Sequence, residues 1–551
     1  MYNVAIGHFA GKQITTGTSN TLIGGLAGDA LVSGDNNTVL GYNAMGAANG
    51  SESRNVAIGS NALAAMDSDA SNYNVAVGYD AGAAVTTGTL NTLVGGRAGD
   101  SVTTGAYNTA LGIDALGTED GGSANTAIGA LALAQQDAGA DAFNTAVGYS
   151  AGVAVTTGVE NTLLGGKAGD ALTTGSYNVA IGMDALDAED TGSRNIAIGY
   201  NSLKALNYDG NGYNVAVGFE AGKSVSVGIQ NTLIGGLAGD ALTSGQSNTA
   251  VGKDALGSAI IIDRNVAVGN GALATLVGDG STAGQDTNNT AVGFNAGYVM
   301  TSGVSNTLVG TQAGTNLTTG NQNTFIGMQA GNSTTTGLYN IAVGQGALYT
   351  NVDGDSNTAI GMMALNVFEA SSDGYGSNTA VGMQAAKLLS TGTANTIVGA
   401  LAGDAATTSA ENVFLGYAAG GAANTGGYNT FIGTSAGAAI VGGGSNIAIG
   451  RSANFGGASY SNAIVIGTNI TQNLGSNTTE IGTTATTKAI VHGLRTTVSD
   501  AATNIASARV NNIYNFSDAD GATVTLPDSG GGAYIGASFE FVCSIAATSN
   551  S

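Results

Sequence analysis

The sequence predicts an all-β chain folded as a parallel β-roll, or β-solenoid, of coils about 17 residues long. The unit Asn-x-x-x-Gly-x-x-Ala recurs in 26 registers from Asn3 to Asn446, most often at every seventeenth residue. The third and fourth residues of every unit are apolar. The chain has 91 glycines and one proline, without the three-residue period of collagen. A regular array of coils joined by tight turns accounts for all three observations.

In each unit, the residues between Asn and Gly predict a short β-strand. The fourth residue of the unit is Ile, Val or Leu in all 26 registers. Because neighbouring residues on a strand point to opposite faces, two adjacent apolar residues indicate that both faces are buried. A coil of this length can supply two short strands, so one face packs inside its own coil. The fourth-position residues taken as core are Ile23, Val94, Ile181, Val251, Ile326 and Ile432.

The second apolar face needs cover from outside the coil. No stretch with helical periodicity and no other apolar domain of comparable length is present in the sequence. Other copies of the chain are the simplest source, and a closed symmetric oligomer fits best. The sequence therefore predicts a homo-oligomer.

The remaining fixed positions of the unit each predict a structural role. Gly at the fifth position suits a turn with positive φ or a close backbone approach. The eighth position is Ala in 25 of 26 units and Ser202 in the other, so it accepts only a small side chain. The Asn side chains either form a hydrogen-bonded ladder along the axis or hold their own turns. The ladder is represented by Asn20, Asn91, Asn178, Asn248, Asn323 and Asn429.

Five coils are longer than the others. Extra residues precede Asn74, Asn144, Asn214, Asn289 and Asn378, and the Asn-to-Asn spacings there are 19, 19, 19, 24 and 21 in chain order. Such insertions are typical of solvent-facing corner loops in repeat proteins, and they are candidate surface contacts. Their acidic residues include Asp67, Asp69, Asp137, Asp141, Asp209, Asp279, Asp286 and Asp373.

The repeat predicts two regions. Residues 1–482 form the repeat array, and residues 483–551 form a C-terminal junction and a small, possibly incomplete β module. Within the second region, alternating residues at 522–526 and 538–542 predict two strands separated by a glycine-rich turn.

Composition argues against several classes of partner and chemistry. The chain has 37 acidic and 14 basic side chains, a formal net charge of −23, so nucleic acid is not an expected partner. No run approaches the roughly 20 apolar residues of a membrane-spanning helix, so no span is expected. The chain begins at once with the repeat, without the pattern of a secretory signal, and none is expected. Cys543, the single cysteine, cannot form an intrachain disulfide.

The sequence predicts no catalytic residues, no metal and no cofactor. His8 and His492, the only histidines, lie far apart in the chain, which gives almost no support to a catalytic triad or a histidine metal site. The acidic loops could hold Ca²⁺, but no Asp-x-Asp-x-Asp spacing recurs. The recurring Thr-Thr-Gly segments suggest an ice-binding face. They are absent from some coils, however, so a role as corner turns explains them better.

The repeat resembles those of two protein families. Asn-Val-Ala-Ile-Gly at 178–182 resembles the head repeats of YadA-type trimeric autotransporter adhesins. Asn-Thr-Phe-Ile-Gly at 323–327 is similar to repeats of bacteriophage tail-fibre proteins. The resemblance covers nearly nine-tenths of the chain. It implies a trimer of parallel β-rolls with the second apolar face of each strand on the trimer axis.

The resemblance implies a structural role rather than an enzymatic one. The expected function is a trimeric viral fibre on the virion surface that attaches to host cell-surface glycan or protein and joins other virion proteins at its N-terminus. The sequence shows neither a secretory signal nor a membrane anchor, which favours the viral fibre over the bacterial adhesin. The alternatives are a bacterial trimeric adhesin on the cell surface and, less favoured, an ice- or ion-binding solenoid.

Overall fold

The computed structural model describes residues 2–279, 284–370 and 374–482, together with the short segments 496–497 and 514–515. Every regular element in these residues is a β-strand. The chain folds as a parallel β-solenoid of about 28 coils, and its strands recur at nearly every seventeenth residue. The fold class predicted from the repeat is confirmed.

Most strands contain three residues and lie between the Asn and the Gly of a unit. The strands are β1 (Val4–Ile6), β2 (Thr21–Ile23), β3 (Thr38–Leu40), β4 (Val56–Ile58), β5 (Val75–Val77), β6 (Thr92–Val94), β7 (Thr109–Leu111), β8 (Thr126–Ile128), β9 (Thr145–Val147), β10 (Thr162–Leu164), β11 (Val179–Ile181), β12 (Ile196–Ile198), β13 (Val215–Val217), β14 (Thr232–Ile234), β15 (Thr249–Val251), β16 (Ile262–Asp263), β17 (Val266–Val268), β18 (Gln285–Asp286), β19 (Thr290–Val292), β20 (Thr307–Val309), β21 (Thr324–Ile326), β22 (Ile341–Val343), β23 (Thr358–Ile360), β24 (Thr379–Val381), β25 (Thr396–Val398), β26 (Val413–Leu415), β27 (Thr430–Ile432), β28 (Ile447–Ile449), β29 (Asn454–Phe455), β30 (Ile464–Ile466), β31 (Thr471–Gln472), β32 (Thr479–Ile481), β33 (Thr496–Thr497) and β34 (Tyr514–Asn515).

Consecutive coils stack in parallel without a shift in register. In β10 and β11, Leu163 lies opposite Ala180 and Leu164 lies opposite Ile181. The same pairing continues from coil to coil and builds one sheet of 28 strands along the length of the array. Equivalent positions of the repeat therefore form straight columns parallel to the solenoid axis.

A regular coil has one strand, although its length allows two. The rest of the coil runs through turns in which ordinary residues adopt a left-handed backbone, such as Asp184 and Leu186 with φ of 54° and 56°. Left-handed residues cannot continue a strand, so a second full ladder does not form. In the described residues of the array, the other pairings are short and lie at two places in the coil. The pair β16–β18 and three isolated bridges lie shortly before the ladder position, and the pair β29–β31 follows the eighth position.

The core lies inside the coils and is built from three columns of residues. The middle residue of the strand, the eighth-position Ala and an apolar residue of the following turn point inward. In one such coil, Leu163, Ala168 and Leu172 are fully buried. Coils near the C-terminal end of the array carry larger side chains, and Phe414 stacks on Phe431 with ring centroids 5.1 Å apart.

The fifth-position glycines meet both conditions expected of them. Gly182 has a φ of +133°, and a Cβ placed on it would lie 2.5 Å from the carbonyl oxygen of Gly199 in the next coil. That distance leaves no room for a side chain, and the φ value is strained for any other residue. Glycine at this position therefore allows consecutive coils to stack closely.

The chain divides into two compact units, Met1–Glu480 and Ile481–Ser551. In the second unit, β33 pairs in parallel with β34. The strands predicted at 522–526 and 538–542 lie outside the described residues. No helix in the described part of the chain has the length and apolarity to cross a membrane.

Candidate functional site

The buried Asn column joins every coil of the array to its neighbours. Oδ1 of Asn178 accepts a hydrogen bond from the backbone N–H of Asn195, one coil later, at 2.9 Å. Its Nδ2 donates to the carbonyl of Gly192, also at 2.9 Å. These contacts agree with the ladder interpretation. The Nδ2 bond reaches a carbonyl 14 residues later, so it closes the coil and does not hold a turn beside the Asn. All six Asn residues named from the sequence are buried.

The fourth-position residues lie on the outer face of the sheet. Ile23, Val94, Ile181, Val251 and Ile432 are half-buried in the single chain, and Ile326 is 39% exposed. The residue that points into the coil is the one before each of them, as Leu22 is before Ile23. Their burial against another copy of the chain stays a prediction.

Large apolar side chains recur beside this outer face at the sixth position of the unit, with small or polar residues in many of the coils between them. This position carries many exposed large side chains, and in neighbouring coils the rings of Tyr200 and Phe219 stack with centroids 5.6 Å apart. Its exposed members include Tyr42, Tyr79, Ile113, Tyr149, Met183, Phe294, Met328, Met362, Met383 and Tyr417. Monomeric soluble proteins rarely expose large contiguous apolar patches, so this face is a candidate interaction surface.

The acidic loop residues named from the sequence lie at the solvent. Asp67, Asp69, Asp137, Asp141, Asp209, Asp279 and Asp286 are exposed. Asp209 accepts a hydrogen bond from the hydroxyl of Thr191 at 2.7 Å, and Asp286 pairs with Arg264. Asp373 lies outside the described residues.

Three buried glutamates, which the sequence pattern did not single out, hold the 19-residue loops. Glu52, Glu119 and Glu189 are fully buried, each in the coil that precedes a 19-residue coil. The carboxylate of Glu52 accepts hydrogen bonds from the backbone N–H groups of Ser68 and Asp69 at 3.2 and 3.3 Å. Their spacing could have identified them from the sequence, because Glu119 and Glu189 are separated by the same interval as two of the long loops.

The other two glutamates use the same type of contact. Glu119 accepts hydrogen bonds from the side-chain amide of Gln136 at 3.0 Å and from the backbone N–H of Ala138 at 3.4 Å. Glu189 accepts one from Gly192 at 2.7 Å and one from Tyr208 at 3.4 Å. Burial raises the pKa of Glu189 to about 7, although these hydrogen bonds oppose the rise.

Glu119 also belongs to a group of three acidic side chains. Carboxylate oxygens of Glu119, Asp120 and Asp137 lie within 4.8 Å of one another. Both oxygens of Glu119 already accept hydrogen bonds from amide groups, including the backbone N–H of Gly122. The buried carboxylate therefore acts here as an anchor for the loop.

The residue directly before each ladder position, from Ser19 to Asn477, forms a column that we name the corner column. Every member adopts a left-handed backbone, with φ between 50° and 63°, and none is glycine. The long loops end beside this column. In chain order it comprises Ser19, Asn36, Arg54, Tyr73, Leu90, Tyr107, Ala124, Phe143, Glu160, Tyr177, Arg194, Tyr213, Gln230, Ser247, Arg264, Asn288, Ser305, Gln322, Tyr339, Ser356, Ser377, Ala394, Glu411, Tyr428, Ser445, Asn462 and Asn477.

An open depression of about 470 Å³ lies over the coils between Asp240 and Tyr298. It forms at Gly271, where a Cβ would lie 2.5 Å from Oδ1 of Asn295. Asp254 and Phe294 also line it, so carboxylate and amide groups lie beside aromatic rings. Burial is the main cause that raises the pKa of Asp240.

No protein-family model and no curated protein matches this chain.

Proposed function

We propose that this chain is the repeat shaft of a homotrimeric viral fibre that attaches to host cells. The observation that carries the proposal is the outer face of the 28-stranded sheet, where apolar residues recur in every regular coil. Parallel sheets are normally covered on both faces. A surface that packs on the outer face in every coil must itself repeat at the coil spacing. A second copy of the chain in the same register meets this requirement.

The proposed trimeric state and the assignment to a viral fibre both rest on the resemblance of the repeats to those of the two families named above. Both similar families point to trimers of parallel β-rolls, and the Asn-Thr-x-Ile-Gly units favour the tail-fibre reading. With 28 strands at the inter-strand spacing of about 4.8 Å, the array forms a shaft of about 130 Å. A shaft of this kind displays many equivalent weak sites, which suits multivalent attachment.

The long loops are the first candidates for contact with the host surface. They project from the coil corners and carry exposed polar and acidic groups. The buried Glu52, Glu119 and Glu189 hold three of them in place, so the loops are presented in a fixed conformation. A fixed conformation lowers the entropy cost of binding.

The oligomer is tested by light scattering on the purified full chain. The expected mass is three times that of the 53.4 kDa chain. A stable monomer would contradict the proposed covering of the outer face.

The setting is tested by immunogold electron microscopy with an antibody raised against the array. Label on the fibres of virions supports the proposal. Label on a bacterial surface would instead assign the chain to the adhesin class.

Attachment is tested by shortening the three 19-residue coils to the length of a regular coil. Glu52, Glu119 and Glu189 are replaced by alanine in the same variant, because their carboxylates lose loop partners. The trimer should remain intact while attachment to host cells weakens. If the shortened trimers attach as well as the parent, the loops are insertions without a binding role, and recognition lies elsewhere.

A further inference from the structure

Aromatic side chains occupy every second coil in one part of the corner column. From Tyr73 to Tyr213 the column alternates between an aromatic residue and a residue of another type. All five aromatic side chains are exposed. They are Tyr73, Tyr107, Phe143, Tyr177 and Tyr213, and the residues between them are Leu90, Ala124, Glu160 and Arg194.

The coil geometry does not require these aromatic residues. Ser19 and Asn36 occupy the same position with φ of 60°, the value found at Tyr107. Small polar residues tolerate a left-handed backbone better than bulky ones, and an exposed ring gains little from burial in the free chain. The alternation also has twice the period of the coil. The 17-residue coil alone therefore does not impose it, although Tyr73, Phe143 and Tyr213 recur at the 70-residue interval of the long loops.

The spacing of the rings is fixed by the backbone. The N–H of Tyr107 donates to the carbonyl of Thr89 at 3.0 Å, and the N–H of Tyr177 donates to that of Val159 at 3.0 Å, each in the coil before. Aromatic residues two coils apart are separated by two inter-strand spacings, about 9.6 Å. The alternating pyranose rings of an extended β-1,4-linked polysaccharide repeat over a similar length.

The surroundings of the rings are polar, and the loops that end beside them carry exposed carboxylates such as Asp69, Asp141 and Asp209. Within the run, Glu160 and Arg194 balance each other in an otherwise acidic chain. The guanidinium of Arg194 lies over the rings of Tyr177 and Tyr213, 5.1 and 5.9 Å from their centres. It covers one face of each ring and leaves the other face for a ligand, and it also donates to Asn211 of the adjacent loop. Arginine and amide groups beside the rings can form hydrogen bonds with hydroxyl groups. A polyanion finds little complementary charge here.

We propose that the corner column from Tyr73 to Tyr213 binds an extended, neutral polysaccharide of β-1,4-linked pyranoses that lies along the solenoid axis. Alternate sugar rings place their apolar faces against successive aromatic side chains, while polar groups of the column and loops bind hydroxyls. Each contact is weak, and the five rings act together along one chain of sugar. This inference rests on the proposed attachment function and assigns its ligand class.

A second copy of this chain is the other occupant to consider. An interface between copies should follow the whole array, as the outer face of the sheet does. The aromatic alternation instead stops after Tyr213, and Ser247, Asn288 and Gln322 take the next three alternate places. The restriction to one segment favours a ligand over a subunit contact.

The test compares two double variants of the full chain. Tyr107→Ala/Tyr177→Ala removes two rings of the alternating run. Tyr339→Ala/Tyr428→Ala removes two exposed rings of the same column that have no aromatic residue two coils away. Alanine already occupies this column at Ala124 and Ala394 with φ of 59° and 56°, so both variants are expected to fold.

Binding is measured by affinity electrophoresis in gels that contain hydroxyethylcellulose, a soluble β-1,4-glucan, with glycogen as the α-linked counterpart. We expect the parent to be retarded by the first polymer and not by the second. The Tyr107→Ala/Tyr177→Ala variant should bind at least about fivefold more weakly, and the control pair should bind as the parent does.

Three results would overturn the inference: no retardation of the parent, equal weakening by both pairs, or a lower oligomer mass for the first pair in light scattering. The last result would assign the column to a subunit contact. Attachment of the same variants to host cells separates this inference from the proposed function. Parent protein that attaches to cells without binding glucan refutes only the ligand, whereas glucan binding without attachment refutes the attachment function.

Discussion

Asn37 donates two hydrogen bonds to the same side-chain oxygen of Asn20, one coil before it. Its backbone N–H lies 2.9 Å from Oδ1 of Asn20, and its Nδ2 lies 3.1 Å from that atom. Nδ2 of Asn37 also donates to the carbonyl of Glu52 at 2.8 Å, and its Oδ1 accepts from the backbone of Asn55 at 3.0 Å. One buried amide thus joins three consecutive coils.

Replacing Asn37 should therefore be costly although the change is small. In Asn37→Ala, the N–H of Asn55 and the carbonyl of Glu52 lose buried partners, and we expect the free energy of unfolding to fall by about 2 kcal/mol or more. Asn36→Ala changes the exposed neighbour, whose left-handed backbone alanine also adopts at Ala124, and should cost no more than about 1 kcal/mol. Urea denaturation of both variants is the measurement, and equal losses would refute the role of the ladder.

The close stacking of coils predicts a large difference between two glycines. Gly182→Ala would place a methyl group 2.5 Å from the carbonyl oxygen of Gly199, at a φ of +133°. Strain and overpacking together should lower stability by about 3 kcal/mol or more. Gly166→Ala meets no atom within 4 Å and serves as the control. Hydrogen exchange of neighbouring coils would show the loss, and wild-type protection on both sides of the first substitution would contradict the assigned packing.

The buried Glu189 predicts a local dependence on pH. Its folded-state pKa of about 7 lies above the ordinary 4.5, so the folded chain binds more protons than the unfolded chain between these values. Stability from this group is therefore fully present below pH about 4.5 and declines as the pH rises to about 7. Glu189→Gln should remove that part of the decline, while the exposed Glu411→Gln should retain it. Amide exchange at Tyr208 across this pH range is the measurement.

The outer face of the sheet predicts opposite results for two substitutions in nearby coils. Ile181→Asp places a carboxylate where the proposed trimer excludes water, and desolvation of that charge should dissociate the oligomer. Asp209→Ala removes an exposed loop carboxylate and one hydrogen bond to Thr191, so it should leave mass and thermal stability nearly unchanged. The two variants are compared by light scattering and thermal melting. Identical behaviour would refute the proposed burial of Ile181.

The repeat predicted the coil and its strand and limited the Asn and Gly residues to two roles each, because each feature depends on contacts repeated many times. It did not predict that a coil holds only one strand. The left-handed turns that prevent the second one contain ordinary residues such as Asp184 and Leu186, whose types carry no strong turn signal. The sequence also did not determine which residue of the apolar pair points into the coil, since a strand pattern alone does not distinguish Ala180 from Ile181 in this respect.

The candidate site was less predictable than the fold. In the sequence, acidic residues near the loops indicate solvent-exposed charges. Glu52, Glu119 and Glu189 do not follow this pattern, because they lie fully buried beneath the loops. The column of Tyr107 and Tyr177 was readable in principle, because its members always precede the ladder position. Its significance depends on the stacking of coils, which places residues two repeats apart on one line.

The hydrogen bonds between coils run along the axis, and this direction determines how the array responds to mechanical load. Tension along the shaft pulls directly on the bonds between neighbouring coils, and each regular coil that comes loose releases roughly 50 Å of extra length as its chain straightens. Coils at an end have one neighbour and should detach before interior ones. A stretched shaft would therefore lengthen in steps and dissipate energy at each step, while its remaining coils stay folded.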